Sequence, residues 1–240
     1  QHHERALAIR RAALPADHPH VALSLNNLGA LDFAEGEFAT AVERFEAALV
    51  IANRVNGPSH QETIATLNNL GGALLRLGRV DEAESAWRRV EASWRETGRA
   101  DHPSALLTRL NLATVRRLRG DAHGAMVEYG QLAWALSATL GTTHPVMSAV
   151  MTQQARCLAD LGDFAQSAEL MSWALQLRNQ AHGATHPDNG ELLRELAVLA
   201  LRRHDIETAR RQLARAIDLQ SAGLPASHPA MLLSQLWLGS

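Results

Sequence analysis

His18-Pro19-His20-Val21-Ala22-Leu23-Ser24-Leu25-Asn26-Asn27-Leu28-Gly29 decides how this chain is read, because its landmarks return every 42 residues. The histidines fall at His18, His60, His102, His144, His186 and His228, and proline follows each except at Gln61. A fixed period without insertion or deletion means that each block is one supersecondary unit, unable to bury its apolar face alone and stacked on its neighbours.

Working outward from the first landmark, complete units span 18–59, 60–101, 102–143, 144–185 and 186–227. Residues 1–17 align with 43–59, the second half of a unit, and 228–240 repeat only the first half, as far as Leu238-Gly239. The pattern predicts one elongated domain over 1–240. Arrays of this kind hide their terminal apolar faces under polar caps. Neither cut unit supplies one, so a longer protein with further repeats or an effector domain is expected.

Each unit reads as two helices. Asp17, Ser59, Asp101, Thr143, Thr185 and Ser227 precede the histidines and suit N-capping, and proline just after has no N–H to lose. Ser59 with Glu62, and Thr185 with Asp188, have capping-box spacing. The first helix, A, is expected to end near Gly36, Gly78, Gly120, Gly162 and His204. The second, B, is expected to start at Asp121, Asp163 and Asp205 in the units that carry them. Small residues at Ala41, Ala83, Ala125, Ser167 and Ala209 alternate with bulk at Phe45, Trp87, Tyr129, Met171 and Leu213, the pattern of a packed helical hairpin. Turns are expected at Gly57-Pro58, Gly141, Gly183 and Leu224-Pro225.

Composition excludes several chemistries. The 23 basic residues are all arginine, so Schiff-base and P-loop lysine chemistry are ruled out. A net charge of -2 and 4% aromatic residues supply neither a basic field nor a stacking platform for nucleic acid. No apolar run is long enough to span a membrane. The single cysteine, Cys157, allows no internal disulfide and fits a reducing, cytoplasmic compartment; its column is apolar in the other units, which predicts a buried thiol. The repeated histidines are spaced unit by unit and cannot converge on a metal. His182 and His186 have an i, i+4 spacing but straddle a glycine turn. No cofactor, GxSxG, HExxH or CxxC motif is evident.

Leu28-Gly29, Gly36, Phe38, Ala41, Phe45 and Ala48-Leu49 resemble the tetratricopeptide repeat over the whole chain. The 42-residue period with His-Pro and Leu-Asn-Asn-Leu resembles the kinesin light chain type, also common in bacterial signalling proteins. The motif is altered in Met151-Thr152-Gln153-Gln154 and Leu193-Arg194-Glu195-Leu196. The resemblance implies an all-α, right-handed α-solenoid whose concave wall is formed by the A helices.

It also places in that groove the column Asn27, Asn69, Asn111, Gln153 and Glu195, with Asn26, Asn68, Leu110, Thr152 and Arg194 beside it. Phe33, Leu75, Arg117, Ala159 and Leu201, together with Arg156, complete the expected wall. A row of carboxamides can bond the backbone of an extended peptide without reading its sequence. The competing reading is that these amides bond neighbouring helices and touch no ligand. Leu23, Asn26, Ala65 and Asn68 stand where a clamp for C-terminal carboxylates needs basic residues. Trp237, in the asparagine column of the cut unit, is either a groove anchor or an exposed end. The function expected is a non-catalytic scaffold binding a peptide-like segment with apolar anchors and some acidic character. The alternatives are a sensor arm of a larger bacterial kinase, NTPase or protease, and an oligomerisation module.

Overall fold

The computed structural model describes residues 2–221 together with 228–229, 231–232 and 234–235. Among the described residues the chain is helical and strand-free: His2–Ala13 (α1), Pro19–Glu35 (α2), Phe38–Val55 (α3), Gln61–Arg76 (α4), Val80–Glu96 (α5), Pro103–Leu118 (α6), Ala122–Leu140 (α7), Val146–Asp160 (α8), Phe164–His182 (α9), Asn189–Arg202 (α10) and Ile206–Ser221 (α11). From α2 onward, even numbers are A helices and odd numbers B helices. The turn at Leu224-Pro225, Ser227, Trp237 and Leu238-Gly239 lie outside the described residues.

Two compact units divide the chain, residues 1–112 and 113–240, the division falling inside α6. Within the first, α1 packs on α2, α2 on α3, α3 on α4 and α4 on α5, while α2 also touches α4. Within the second, α7, α8, α9, α10 and α11 pack in sequence. No described helix is long and apolar enough to cross a membrane.

The A-helix starts correct the sequence reading, by one residue at α2, α4 and α6 and by two or three at α8 and α10, which follow Pro145 and Asp188. At the first three the histidine itself caps the helix, not the Asp or Ser before it. His18 Nδ1 accepts from the His20 N–H at 3.2 Å and His60 Nδ1 from that of Glu62 at 3.3 Å. The same bond recurs at His102, His144 and His186, at 3.2, 3.2 and 3.3 Å. Nδ1 sits where the Oδ1 of a capping Asp or Asn would, and extended backbone at His18 and His60 aims it at the helix. The preceding residues turn elsewhere: Asp17 pairs with Arg54, and Ser59 bonds Glu96. The expected box between Ser59 and Glu62 is absent, because Glu62 accepts from Asn56.

The expected ends of the A helices and the Asp caps of the B helices are found where the sequence puts them. Gly36, Gly78, Gly120 and Gly162 take positive φ at the A-helix ends, and His204 does the same at φ 61°, a left-handed conformation uncommon in any residue with a Cβ. Asp121, Asp163 and Asp205 accept from the N–H groups of Gly124, Gln166 and Thr208.

Between each A and B helix the small and bulky columns are buried as expected. Phe45, Trp87, Tyr129, Met171 and Leu213 are each at most 2% exposed, and such side chains contribute about 1.5 to 3 kcal/mol apiece by leaving water. In the first unit close approach depends on glycine at two places. A Cβ on Gly29 would stand 2.8 Å from the Phe45 ring, and one on Gly71 would stand 2.6 Å from the Trp87 indole. Trp87 Nε1 donates to the Asn68 carbonyl at 3.3 Å. In the second unit Tyr129 and Thr114 share a hydrogen bond of 2.9 Å, and burial pushes the phenol up to about 12.

Candidate functional site

In the first unit the A-helix asparagines form a ladder. Asn69 donates its Nδ2–H to Asn26 Oδ1 at 3.2 Å, and Asn111 donates to Asn68 Oδ1 at 3.4 Å. Each bond joins one A helix to the next, as the inter-helix reading of these amides anticipates. A carboxamide has two donors and an oxygen with two lone pairs, so one bond uses only part of its capacity. Asn27 stands exposed on α2.

Beside the ladder lies a concavity of about 320 Å³, with walls from α2, α4 and α6. Phe33 and Leu75 are its apolar sides, and Asn68, Asn69 and Asn111 its amide edge. Phe45 and Trp87, both 1% exposed, form the floor. Phe33 is braced edge-on by Phe38 at 5.3 Å, and the Arg76 guanidinium lies over the Phe38 ring at 4.7 Å. Arg76 also lines the concavity and is exposed; among the described residues no carboxylate pairs with it. A second concavity of about 270 Å³ meets the first at Asn68 and Asn69 and runs toward Ile64, Leu107 and Thr108. At its far side His102 stacks on Trp94 at 5.0 Å.

Three of the residues expected in the later part of the groove, Arg117, Arg156 and Glu195, make ion pairs within the second unit. Arg117 bonds Asp160 at 2.6 Å. Arg156 on α8 reaches α10, where it bonds both carboxylate oxygens of Glu195, Nε to Oε2 at 3.0 Å, and Glu191 at 3.0 Å. Burial works against the Arg156 charge, but Glu195 and Glu191 outweigh it and hold its pKa above the ordinary value. Gln153 and Arg194 are half-buried on α8 and α10; Gln153 Oε1 and Arg194 Nε are buried with no hydrogen bond among the described residues.

Sequence reasoning missed Gly72 and Arg76. Gly71-Gly72 lies inside α4, and glycine inside a helix costs about 1 kcal/mol against alanine. Packing against Trp87 accounts for Gly71. Nothing lies within 4 Å of where a Cβ on Gly72 would be. Its repeat column, which reads Ala30, Gly72, Thr114, Arg156 and Val198, was the available signal.

Outside the groove, Cys157 is wholly buried, and burial pushes its thiol up to about 11. The His182 and His186 rings are 5.6 Å apart, and no group of three His, Cys, Asp or Glu side chains able to hold a metal gathers among the described residues.

No curated protein matches this chain significantly in sequence. Solved structures do. A putative kinesin light chain of nearly identical TPR-like repeats from Podosopora anserina is 24% identical, over 85% of this chain and 97% of that one, with a TM-score of 0.56. BtubC (BKLC) from P. vanneervenii is 19% identical, over 92% and 89%, with a TM-score of 0.64. NprR in complex with its cognate peptide NprX is 13% identical, over 97% and 65%, with a TM-score of 0.80. At such identities the likeness is one of fold, the stacked helix pairs expected from the period. The Tetratricopeptide repeat pattern matches residues 1–54, 20–86, 62–131 and 146–222. With most of its length matched in this way and its helices paired as that repeat requires, the chain belongs to the tetratricopeptide repeat family.

Proposed function

We propose that the chain is a non-catalytic interaction scaffold that holds an extended segment of a protein partner against the A helices of its first unit. The observation that carries this reading is the concavity of Phe33, Leu75 and Gly72, apolar at its floor, edged by the amides of Asn68, Asn69 and Asn111, and flanked by Arg76, which pairs with no carboxylate among the described residues. Main-chain groups of the segment meet the unused capacity of the amides, an apolar side chain fills the space above Phe45 and Trp87, and a carboxylate answers Arg76. A wall already fixed by helix packing loses little entropy on binding. The likeness of fold to NprR, solved with a peptide, supports this use of such an array.

Selection of random heptapeptides displayed on phage against the whole chain tests the reading. Enriched sequences are expected to pair an apolar with an acidic residue. Synthesised with fluorescein and titrated by anisotropy, they are expected to bind at least about tenfold more weakly to Leu75→Ala and to Arg76→Ala. Absence of enrichment, or equal binding to both variants, would overturn it.

The likeness of fold to NprR, a quorum sensor, favours a second reading, in which the array is a sensing arm and passes groove occupancy to another domain. A selected peptide that alters the activity of such a domain in the natural full-length protein would support that reading; activity unchanged at saturating peptide would exclude it.

A further inference from the structure

We infer that Gly72 is the specificity-determining residue of the groove: its missing side chain admits the partner's main chain against α4, and the same column carries a built-in plug in the second unit. This rests on the peptide-binding reading above. Two independent observations carry it. First, glycine is the poorest helix former after proline, and here no packing demands it, since a Cβ on Gly72 meets nothing within 4 Å, whereas its neighbour Gly71 is fixed by the Trp87 indole. The open space in front of Gly72 is the concavity it lines with Phe33 and Leu75. Second, two units on in the repeat register stands Arg156, whose guanidinium is bonded to Glu195 and Glu191 of the next A helix. That place on the second unit's wall is taken by the chain's own ion-paired side chain.

An extended segment brings its backbone close only where the wall carries no Cβ, as close main-chain approach generally requires glycine on one side. The partner's residue facing Gly72 contributes main-chain contact, with its side chain turned away, and the next side chain along enters the apolar space beside Leu75. Exclusion is as much a part of this selectivity as attraction: any substituent at position 72 removes the approach without touching Asn69, Leu75 or Arg76.

The test uses the fluorescein-labelled heptapeptides selected on the whole chain, titrated against wild type, Gly72→Ala and Gly72→Leu, with melting temperatures measured alongside. Gly72→Ala is expected to raise the melting temperature and yet bind about threefold or more weakly, and Gly72→Leu to bind at least about thirtyfold more weakly. Calorimetry is expected to give one peptide per chain. A merely structural glycine would lose stability and not affinity on gaining a Cβ. Unchanged affinity for Gly72→Leu, with Leu75→Ala still weakened, would overturn the inference while leaving the peptide-binding reading intact. Two equivalent peptides per chain would overturn the plug at Arg156, and failure to select any peptide would overturn both readings.

Discussion

At the scale of the residue, the repeated histidine shows how one atom can replace a more familiar cap. A helix leaves its first N–H groups without intrahelical acceptors, and a side-chain acceptor there is worth about 1 kcal/mol. His60 provides it through Nδ1, which requires a neutral ring with its proton on Nε2. His60→Ala is therefore expected to lower stability by about 1 kcal/mol in urea denaturation, while His60→Asn, whose Oδ1 occupies the same place, retains most of it. The nitrogen chemical shifts of His60 are expected to show the Nε2–H tautomer in the wild type. The sequence announced the starts of α2 and α4 within one residue and missed the capping atom. Asp17 and Ser59 are better caps in isolation, and only the extended backbone at His18 and His60 decides which side chain faces the open N–H groups.

At the scale of the element, α4 concentrates what was legible and what was not. Its buried Leu67, Leu70 and Leu74 follow from helical periodicity, and Asn68, Asn69 and Leu75, expected in a groove from the family resemblance, line the concavity. Arg76 and Gly72 were not foreseen. An exposed arginine looks like any solvated charge until the groups around it are seen, and an absent side chain leaves no pattern of its own. The paired glycines separate cleanly by measurement. Gly71→Ala puts a methyl group into the Trp87 indole and is expected to cost about 1 to 3 kcal/mol of stability, with loss of the Trp87 bond to Asn68 showing as a shift of the indole N–H resonance. Sequence alone could not assign the Arg156 bonds to Glu191 and Glu195 either, because side-chain reach between α8 and α10 depends on packing.

At the scale of the whole molecule, the period made the fold legible before any coordinate, since 42-residue self-similarity admits few architectures. It did not reveal that the two compact units use equivalent wall positions differently, open at Gly72 and occupied at Arg156. That difference lies in individual side chains laid over a common frame, and a repeat register averages over them. Stability in such arrays accrues unit by unit with neighbour terms, so opening in one unit need not carry through the chain.

The buried thiol of the second unit turns that last point into something countable. Cys157 is shut away and held in its protonated form, so an aromatic disulfide reagent consumes it only in the moments when α8 lifts from the helices packed on it. Its labelling half-life thus acts as a stopwatch for breathing at one address, with no second thiol to blur the signal. Gly71→Ala, which loosens the first unit, is expected to leave that stopwatch running at nearly its wild-type pace, and a matching acceleration would mean that the chain opens as one cooperative body.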